Sequence, residues 1–189
     1  MYHTVVIGGG CLGAATAVSL QKKLNKLGKG EKVGLIEKAV LCAAESSRHS
    51  GIVRSANADP DASMMASIST KMWKNIREHW GIDMELDEFG AIWIAKNNSD
   101  GDNPAWTDLS KRMEKINLVF EEIDPDSAVQ KCGTTLITDK DESYFYEPAA
   151  FQLDPSILRS TLYEAIEENG VELFEKTEVE TMVASGNSI

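Results

Sequence analysis

Cysteine and long apolar runs are both scarce in this sequence of 189 residues. The three cysteines, Cys11, Cys42 and Cys132, are odd in number and widely spaced, which excludes a disulfide framework and a paired-cysteine metal site. No stretch approaches the roughly 18 apolar residues that a membrane-spanning helix requires. The N-terminus lacks the basic segment, apolar core and cleavage site of a secretory signal. These absences predict a cytoplasmic protein without a membrane span.

Basic charge is also scarce. Lys and Arg together number 19 against 30 Asp and Glu, which gives a net charge of −11. Residues 1–58 carry +5 and residues 59–189 carry −16, so the acidity lies in the second segment. Because binding along nucleic acid requires many phosphate-neutralising cations, a nucleic-acid partner is excluded. His3, His49 and His79 have no ligand spacing among themselves or with the cysteines, so no metal site is predicted.

The first forty residues show the pattern of a strand, a helix and a second strand. Residues 4–7 are apolar and mostly β-branched, as in a strand buried on both faces. A helical pattern with small residues in its first turns begins at Cys11 and ends at Gly28 and Gly30. Residues 33–36 form the second apolar run. This order predicts a right-handed βαβ unit and an α/β fold.

A glycine motif connects the first strand to the helix. Gly8, Gly10 and Gly13 form G-x-G-x-x-G, in which the glycines allow a tight turn, a close approach of pyrophosphate and helix–sheet packing. The helix N-terminus adds N–H groups and a partial positive charge. Glu37 ends the second strand, where its carboxylate suits ribose hydroxyls and repels a 2′-phosphate. The motif therefore predicts a dinucleotide site, with NAD and FAD both open and NADP excluded.

The remainder of the chain alternates helical and strand patterns. Residues 38–58 have no clear period and predict a long functional loop. A helix begins at Asp59-Pro60, with Met64, Met65, Ile68, Met72 and Ile76 expected in the core. Strands at 84–86 and 91–95 suggest a hairpin around Gly90. Further elements are predicted as helices at 104–117 and 125–131, a strand at 143–146, a helix from Asp154-Pro155 to Asn169-Gly170, and strands at 171–174 and 177–183.

The segment 45–55 makes the sequence recognisable. Following the Glu-ended second strand, it resembles the flavin-contacting loop of the D-amino-acid-oxidase-like family of FAD-dependent oxidoreductases, which includes glycine and sarcosine oxidases. The helix at 59–80, the strand at 89–95 and the Leu153-Asp154-Pro155 helix resemble the same family in the same order. The resemblance implies a Rossmann-like FAD-binding domain with an inserted α+β substrate domain. The expected boundaries are 1–82 and 147–189 for the FAD-binding domain and 83–146 for the partial substrate domain.

The resemblance also implies roles for individual residues. Gly8, Gly10 and Gly13 would hold the FAD pyrophosphate, and Glu37 the adenosine ribose. Arg54 matches an arginine that binds the substrate carboxylate in the sarcosine-oxidase branch; a structural or phosphate-side role is the alternative. The remaining cofactor-contacting positions are expected at Cys11, Leu12, Lys38, Ser46, Ser47, Arg48, Ser50, Gly51, Ile52 and Val179.

The implied reaction is oxidation of the C–N bond of an amino acid or secondary amine by hydride transfer to flavin, with oxygen, a quinone or a protein as electron acceptor. An FAD-dependent 2-hydroxyacid or glycerol-phosphate dehydrogenase is one alternative. Members of the family are considerably longer, so the sequence is expected to be an N-terminal fragment of a larger enzyme. It would be inactive alone, and further subunits are possible partners. A non-catalytic product of this length is the other alternative.

Overall fold

The computed structural model describes residues 2–57, 59–98, 104–132 and 136–184, and these form a mixed α/β structure, as the sequence predicts. The helices and strands in chain order are β1 Tyr2–Ile7, α1 Cys11–Lys26, β2 Lys32–Ile36, β3 Ile52–Val53, α2 Pro60–Lys74, α3 Ile76–Trp80, β4 Ala91–Lys96, α4 Pro104–Lys115, β5 Glu121–Ile123, α5 Pro125–Cys132, β6 Glu142–Glu147, β7 Phe151–Gln152, α6 Pro155–Asn169 and β8 Glu172–Phe174.

The chain divides into two compact units. The first comprises Met1–Ser50, Asn75–Glu85 and Asp154–Ile189, and the second comprises Gly51–Lys74 and Leu86–Leu153. These units are defined by packing within the chain. The expected domain boundaries follow the cofactor and substrate domains of the resembled family, and they stay a prediction.

The first unit is built on a parallel sheet in the order β1-β2-β8. Strands β1 and β2 pair in parallel, with Val6 opposite Leu35, and α1 connects them, which confirms the predicted βαβ unit. The buried face of α1 contains Ala14 and Ala17, whose short side chains permit close helix–sheet packing. Helix α6 begins as predicted, because the Asp154 carboxylate accepts a hydrogen bond from the Ser156 N–H at 2.7 Å.

Two expectations for the first unit are wrong. Strand β1 is not buried on both faces: 43% of Val5 and 53% of Ile7 is exposed. The reason is that α1 packs on the face that carries Val6, whereas Val5 and Ile7 point to the opposite face of the sheet. Residues 177–183 do not form a strand, and the chain there is irregular. Its start is held by backbone hydrogen bonds from Lys176 to Ala39 and from Thr177 to Glu37 instead.

The second unit contains an antiparallel sheet in the order β4-β6-β5 and a small β3–β7 pair. Strand β4 pairs with β6 over six residues, from Ala91 opposite Glu147 to Lys96 opposite Glu142. The predicted hairpin around Gly90 is therefore wrong: residues 84–86 form no strand, and the partner of β4 lies some fifty residues along the chain. The strand at 143–146 is confirmed within β6, and the helices at 104–117 and 125–131 correspond to α4 and α5.

Aromatic rings fill the core of the second unit. Phe120 and Phe145 stack with ring centroids 5.4 Å apart, and Trp106 stacks on Phe145 at 5.6 Å. Helix α4 adds Leu109 and Met113, both buried. Ring packing of this kind stabilises a core beyond the area that it buries. It explains how a small three-stranded sheet is held against one helix.

Helix α2 presents a different face to its unit than its apolar pattern predicts. The buried residues are Ser63, Ser67 and Thr70, whereas Met65 and Ile68 are 72% and 55% exposed. Met64 and Met72 are exposed as well. The polar side faces the segment 55–57, where the Ser63 hydroxyl bonds the Asn57 carbonyl oxygen and the Thr70 hydroxyl lies 3.2 Å from that of Ser55. Only Ile76, which begins α3, is buried as expected.

A buried carboxylate connects three parts of the second unit. Glu147, at the end of β6, is 1% exposed. Its Oε1 accepts hydrogen bonds from the backbone N–H groups of Ser55 and Ala56, and its Oε2 accepts one from Trp93 Nε1 at 3.1 Å. A buried carboxylate is tolerated only when donors compensate its lost hydration. Glu147 therefore fixes the segment after β3 to both β4 and β6.

Glu147→Ala is expected to lower the free energy of unfolding by about 3–5 kcal/mol, because it leaves two buried backbone N–H groups and the half-buried Trp93 indole N–H without this acceptor. Urea denaturation followed by circular dichroism measures the change. Glu122→Ala removes an exposed carboxylate from β5 in the same sheet and serves as the matched control. Equal stability of the two variants would show that the Glu147 contacts contribute nothing net.

Candidate functional site

The three motif glycines have different roles in the turn between β1 and α1. Gly8 has a φ of 104°, and a Cβ on Gly13 would lie 1.9 Å from the Gly8 carbonyl oxygen. The fold itself therefore requires these two glycines. A Cβ on Gly10 would meet only the Ser46 hydroxyl, at 3.2 Å. The protein's own packing thus leaves space beside Gly10, where the motif places a phosphate group.

The N-terminus of α1 is arranged to receive an anion. Gly10 is its N-cap and supplies no side chain, and the first turn has no acidic residue. The Cys11 N–H donates to the Ser46 hydroxyl at 2.9 Å, which joins the loop at 45–47 to the helix start. The Leu12 side chain is 85% exposed. These features suit phosphate binding because the helix end carries a partial positive charge.

Glu37 connects the end of β2 to the glycine turn. Its Oε2 accepts the Gly9 N–H at 2.7 Å and its Oε1 accepts the Ala39 N–H at 2.8 Å. Each carboxylate oxygen can accept more than one hydrogen bond, so the half-buried side chain retains acceptor capacity for ribose hydroxyls. Lys38 beside it is exposed. The carboxylate thus has a structural role in addition to the ligand role that the sequence predicts.

The residues expected to contact a flavin fall into both units. Ser46, Ser47, Arg48 and Ser50 lie in the first unit, where Ser46 is half-buried and the other three are exposed. The Ser47 hydroxyl donates to the Ala44 carbonyl oxygen at 3.1 Å, which closes the short 3-10 turn. Val179, expected near the adenine, is half-buried in the irregular segment of the first unit.

Gly51 and Ile52 belong to the second unit. Gly51 has a φ of 77°, and a Cβ there would lie 2.2 Å from the Leu153 carbonyl oxygen, so the β3–β7 pairing requires glycine. Ile52 pairs with Gln152 and is 56% exposed.

Arg54 is anchored within the second unit. Its Nη1 donates to the Ala56 carbonyl oxygen at 2.5 Å, and its Cζ lies 4.5 Å from the centre of the Trp93 ring. Cation–π contacts of this kind orient a guanidinium group. The sequence indicates Arg54 as a candidate but gives no signal for Trp93 or for Glu147, which holds the Trp93 indole.

Two of the cysteines, Cys11 and Cys42, lie in the first unit with their side chains at least partly buried. Burial raises the pKa of the Cys11 thiol, and burial above all raises that of Cys42 to about 11. Both thiols are therefore protonated near neutral pH.

The described part of the chain contains neither a metal-binding cluster nor a membrane-spanning helix. Residues 2–57, 59–98, 104–132 and 136–184 contain no group of three His, Cys, Asp or Glu side chains that could hold a metal ion. Within those same ranges, every helix is too short or too polar to cross a bilayer.

Gly13→Ala is expected to disrupt the first unit, because its methyl group would lie 1.9 Å from the Gly8 carbonyl oxygen and the turn would have to open. We expect a loss of about 3 kcal/mol or more in the free energy of unfolding. Gly30→Ala is the control, because a Cβ there meets nothing within 4 Å. Thermal denaturation distinguishes the two, and a Gly13→Ala protein as stable as Gly30→Ala would contradict the packing of the turn.

Comparisons with known proteins give one family. The family model described as FAD dependent oxidoreductase matches residues 3–188. None of the curated proteins matches the sequence. The residues at the glycine turn fit FAD, since the gap beside Gly10 and a helix start whose N-cap residue has no side chain suit a pyrophosphate.

Similar solved structures include a proline dehydrogenase, a glycine oxidase and an amino acid deaminase. L-proline dehydrogenase from P. horikoshii has a TM-score of 0.80 and 21% identity, covering 98% of this chain and 47% of that chain. Glycine oxidase from Geobacillus kaustophilus has a TM-score of 0.71 and 22% identity, and the match covers 94% of this chain and 47% of that chain. L-amino acid deaminase from Proteus myxofaciens has a TM-score of 0.77 and 18% identity, and the match covers 98% of this chain and 40% of that chain.

The chain thus spans about half the length or less of these structures, and at such identities the likeness concerns the fold. The family match, by contrast, extends over nearly the whole sequence. On that match, the chain belongs to the D-amino-acid-oxidase-like family of FAD-dependent oxidoreductases.

Proposed function

We propose that this chain binds FAD at the glycine turn and forms part of an enzyme that oxidises the C–N bond of an amino acid or secondary amine. The observation that carries the proposal is the space beside Gly10 at the start of α1, where the protein's own packing would admit a Cβ once the Ser46 hydroxyl shifts by a few tenths of an ångström. A pyrophosphate explains why glycine stands there.

Within this proposal, the chain's own residues hold and orient the cofactor. The N–H groups at the start of α1, including those of Cys11 and Leu12, would hold the pyrophosphate, and the Ser46 hydroxyl beside Cys11 would donate to a phosphate oxygen. Glu37 accepts from the adenosine ribose. The other contacts are assigned by the family resemblance to Lys38, Ser47, Arg48, Ser50, Gly51, Ile52 and Val179. Bound FAD would supply the redox chemistry by accepting a hydride.

On the substrate side, Arg54 is assigned to the carboxylate of an amino acid. Its planar guanidinium group suits two carboxylate oxygens, and its exposed position in the second unit leaves it accessible. The names of the similar structures support C–N over C–OH oxidation, since they include a proline dehydrogenase, glycine oxidases and amino acid deaminases. The electron acceptor would be oxygen, a quinone or another protein, and a cytoplasmic location remains our prediction.

Gly10→Val is expected to abolish FAD binding while the chain stays folded. The side chain would occupy the pyrophosphate space, yet within the protein its Cβ meets only the Ser46 hydroxyl, which can shift by a few tenths of an ångström. We expect the Kd for FAD to rise at least about 100-fold, equivalent to about 2.7 kcal/mol. Titration of FAD by isothermal calorimetry measures the effect, with circular dichroism as the test of folding.

Gly30→Val is the matched control, because it lies outside the turn in open space. Wild-type affinity in Gly30→Val and loss in a folded Gly10→Val would support the proposal. Equal FAD affinity in the two variants would contradict it. A wild-type chain that folds but binds no FAD would favour the non-catalytic alternative.

A further inference from the structure

A cavity of about 360 Å³ lies within the second unit, between α4, β4 and the segment after β3. Its functional lining consists of two arginines, two tryptophans and an asparagine, and small or apolar residues complete it. The lining side chains that matter here are Arg54, Asn57, Trp93, Trp106 and Arg112. Its volume suits a ligand of about one ring with a short substituent.

The arginines concentrate positive charge in an acidic part of the protein. The sequence has five arginines, and the two that belong to the second unit, Arg54 and Arg112, both line this cavity. The described contact of Arg54 with Ala56 uses one of the five N–H donors of a guanidinium group. Asp108 lies 3.0 Å from Arg112 Nε, but its carboxylate is 67% exposed and screened by water. Two guanidinium groups at one cavity favour an anion, above all a carboxylate.

The tryptophans give the same cavity an aromatic, largely apolar wall. The rings of Trp93 and Trp106 lie 5.5 Å apart at 60° to each other. Trp106 is backed by stacked Phe120 and Phe145, so it cannot retreat into the core. Indole faces suit a planar or apolar group of a ligand and also hold guanidinium groups in place.

Glu147 makes this wall rigid. The buried carboxylate bonds the Trp93 indole and also the N–H groups of Ser55 and Ala56, next to Arg54. The backbone that carries Arg54 and the ring beneath its guanidinium group are thus fixed by one side chain. A pre-organised site of this kind binds its ligand without the cost of ordering these groups.

We propose that this cavity binds the acid substrate and selects one that carries a flat apolar group, such as an aromatic amino acid. Arg54 and Arg112 bind the carboxylate, and Trp93 and Trp106 determine the preference for the apolar group. This inference rests on the substrate role of Arg54 in the proposed function and names the class of substrate. A purely structural Arg54–Trp93 stack is the competing explanation.

The experiment uses the ¹⁵N-labelled chain and the probe 3-phenylpropanoate, which combines a ring and a carboxylate. The four tryptophans give four indole N–H signals in a correlation spectrum, assigned by single Trp→Phe substitutions. We expect saturable shifts for Trp93 and Trp106 and unchanged signals for Trp73 and Trp80. Propanoate supplies the carboxylate without the ring, and 3-phenylpropan-1-ol supplies the ring without the charge; both are expected to bind at least about tenfold more weakly.

Substitutions test the arginines separately. Arg54→Gln and Arg112→Gln are each expected to raise the Kd for 3-phenylpropanoate at least about tenfold, whereas Arg77→Gln makes the same charge change in the first unit and serves as the control. Asp108→Asn removes the carboxylate that competes for Arg112 and is expected to tighten binding by about two- to fivefold. This last variant strengthens binding, so its result cannot be attributed to misfolding.

Each other outcome rejects a defined part of the inference. Equal binding of propanoate and 3-phenylpropanoate would leave the carboxylate role of Arg54 intact and reject the flat apolar class. Equal binding of 3-phenylpropan-1-ol and 3-phenylpropanoate would reject the binding of a carboxylate by Arg54 and Arg112. Absence of saturable shifts in the folded wild-type chain would overturn the site altogether and leave a structural stack. FAD binding at Gly10 is measured in a separate experiment, so none of these three results decides whether the chain binds FAD.

Discussion

The close packing of Gly13 against the carbonyl oxygen of Gly8 is the contact on which the first unit depends. It allows α1 to begin immediately after β1 and to lie close against the sheet, with a hydrogen bond from the Gly8 N–H to the Ile36 carbonyl oxygen holding the turn at the end of β2. That geometry brings the start of α1, Gly10 and Glu37 together at the carboxyl ends of β1 and β2. The phosphate site that we propose lies at this edge because of that packing.

In the second unit, Glu147 has a comparable role for a different reason. The segment 54–57 follows β3 without belonging to a strand, so its buried N–H groups need acceptors from outside a regular sheet. A carboxylate at the end of β6 supplies them and at the same time fixes an indole of β4. The polar contact thus orders the part of the unit that carries Arg54, while the aromatic core holds the sheet against α4.

Helix α2 shows why an apolar pattern is an incomplete guide to burial. Its existence and its start at Asp59-Pro60 follow from local signals, and both are confirmed. The choice of buried face depends on what lies against the helix. Here that neighbour is an irregular segment with polar groups to satisfy, so Ser63 and Thr70 face it and Met65 stays exposed. Periodicity identifies a face, but only a neighbour decides whether that face is covered.

The sequence by itself determined the βαβ start and the dinucleotide motif, because the demands of the turn act between residues at most a few positions apart. It also determined most helices, since caps and apolar spacing are local. Only the tertiary structure decided that β4 pairs with β6, that Glu147 bonds Trp93, and that Arg54 and Arg112 line one cavity. Those contacts join residues that are distant in the chain. The type of a side chain does not indicate which distant residue will lie beside it in the folded protein.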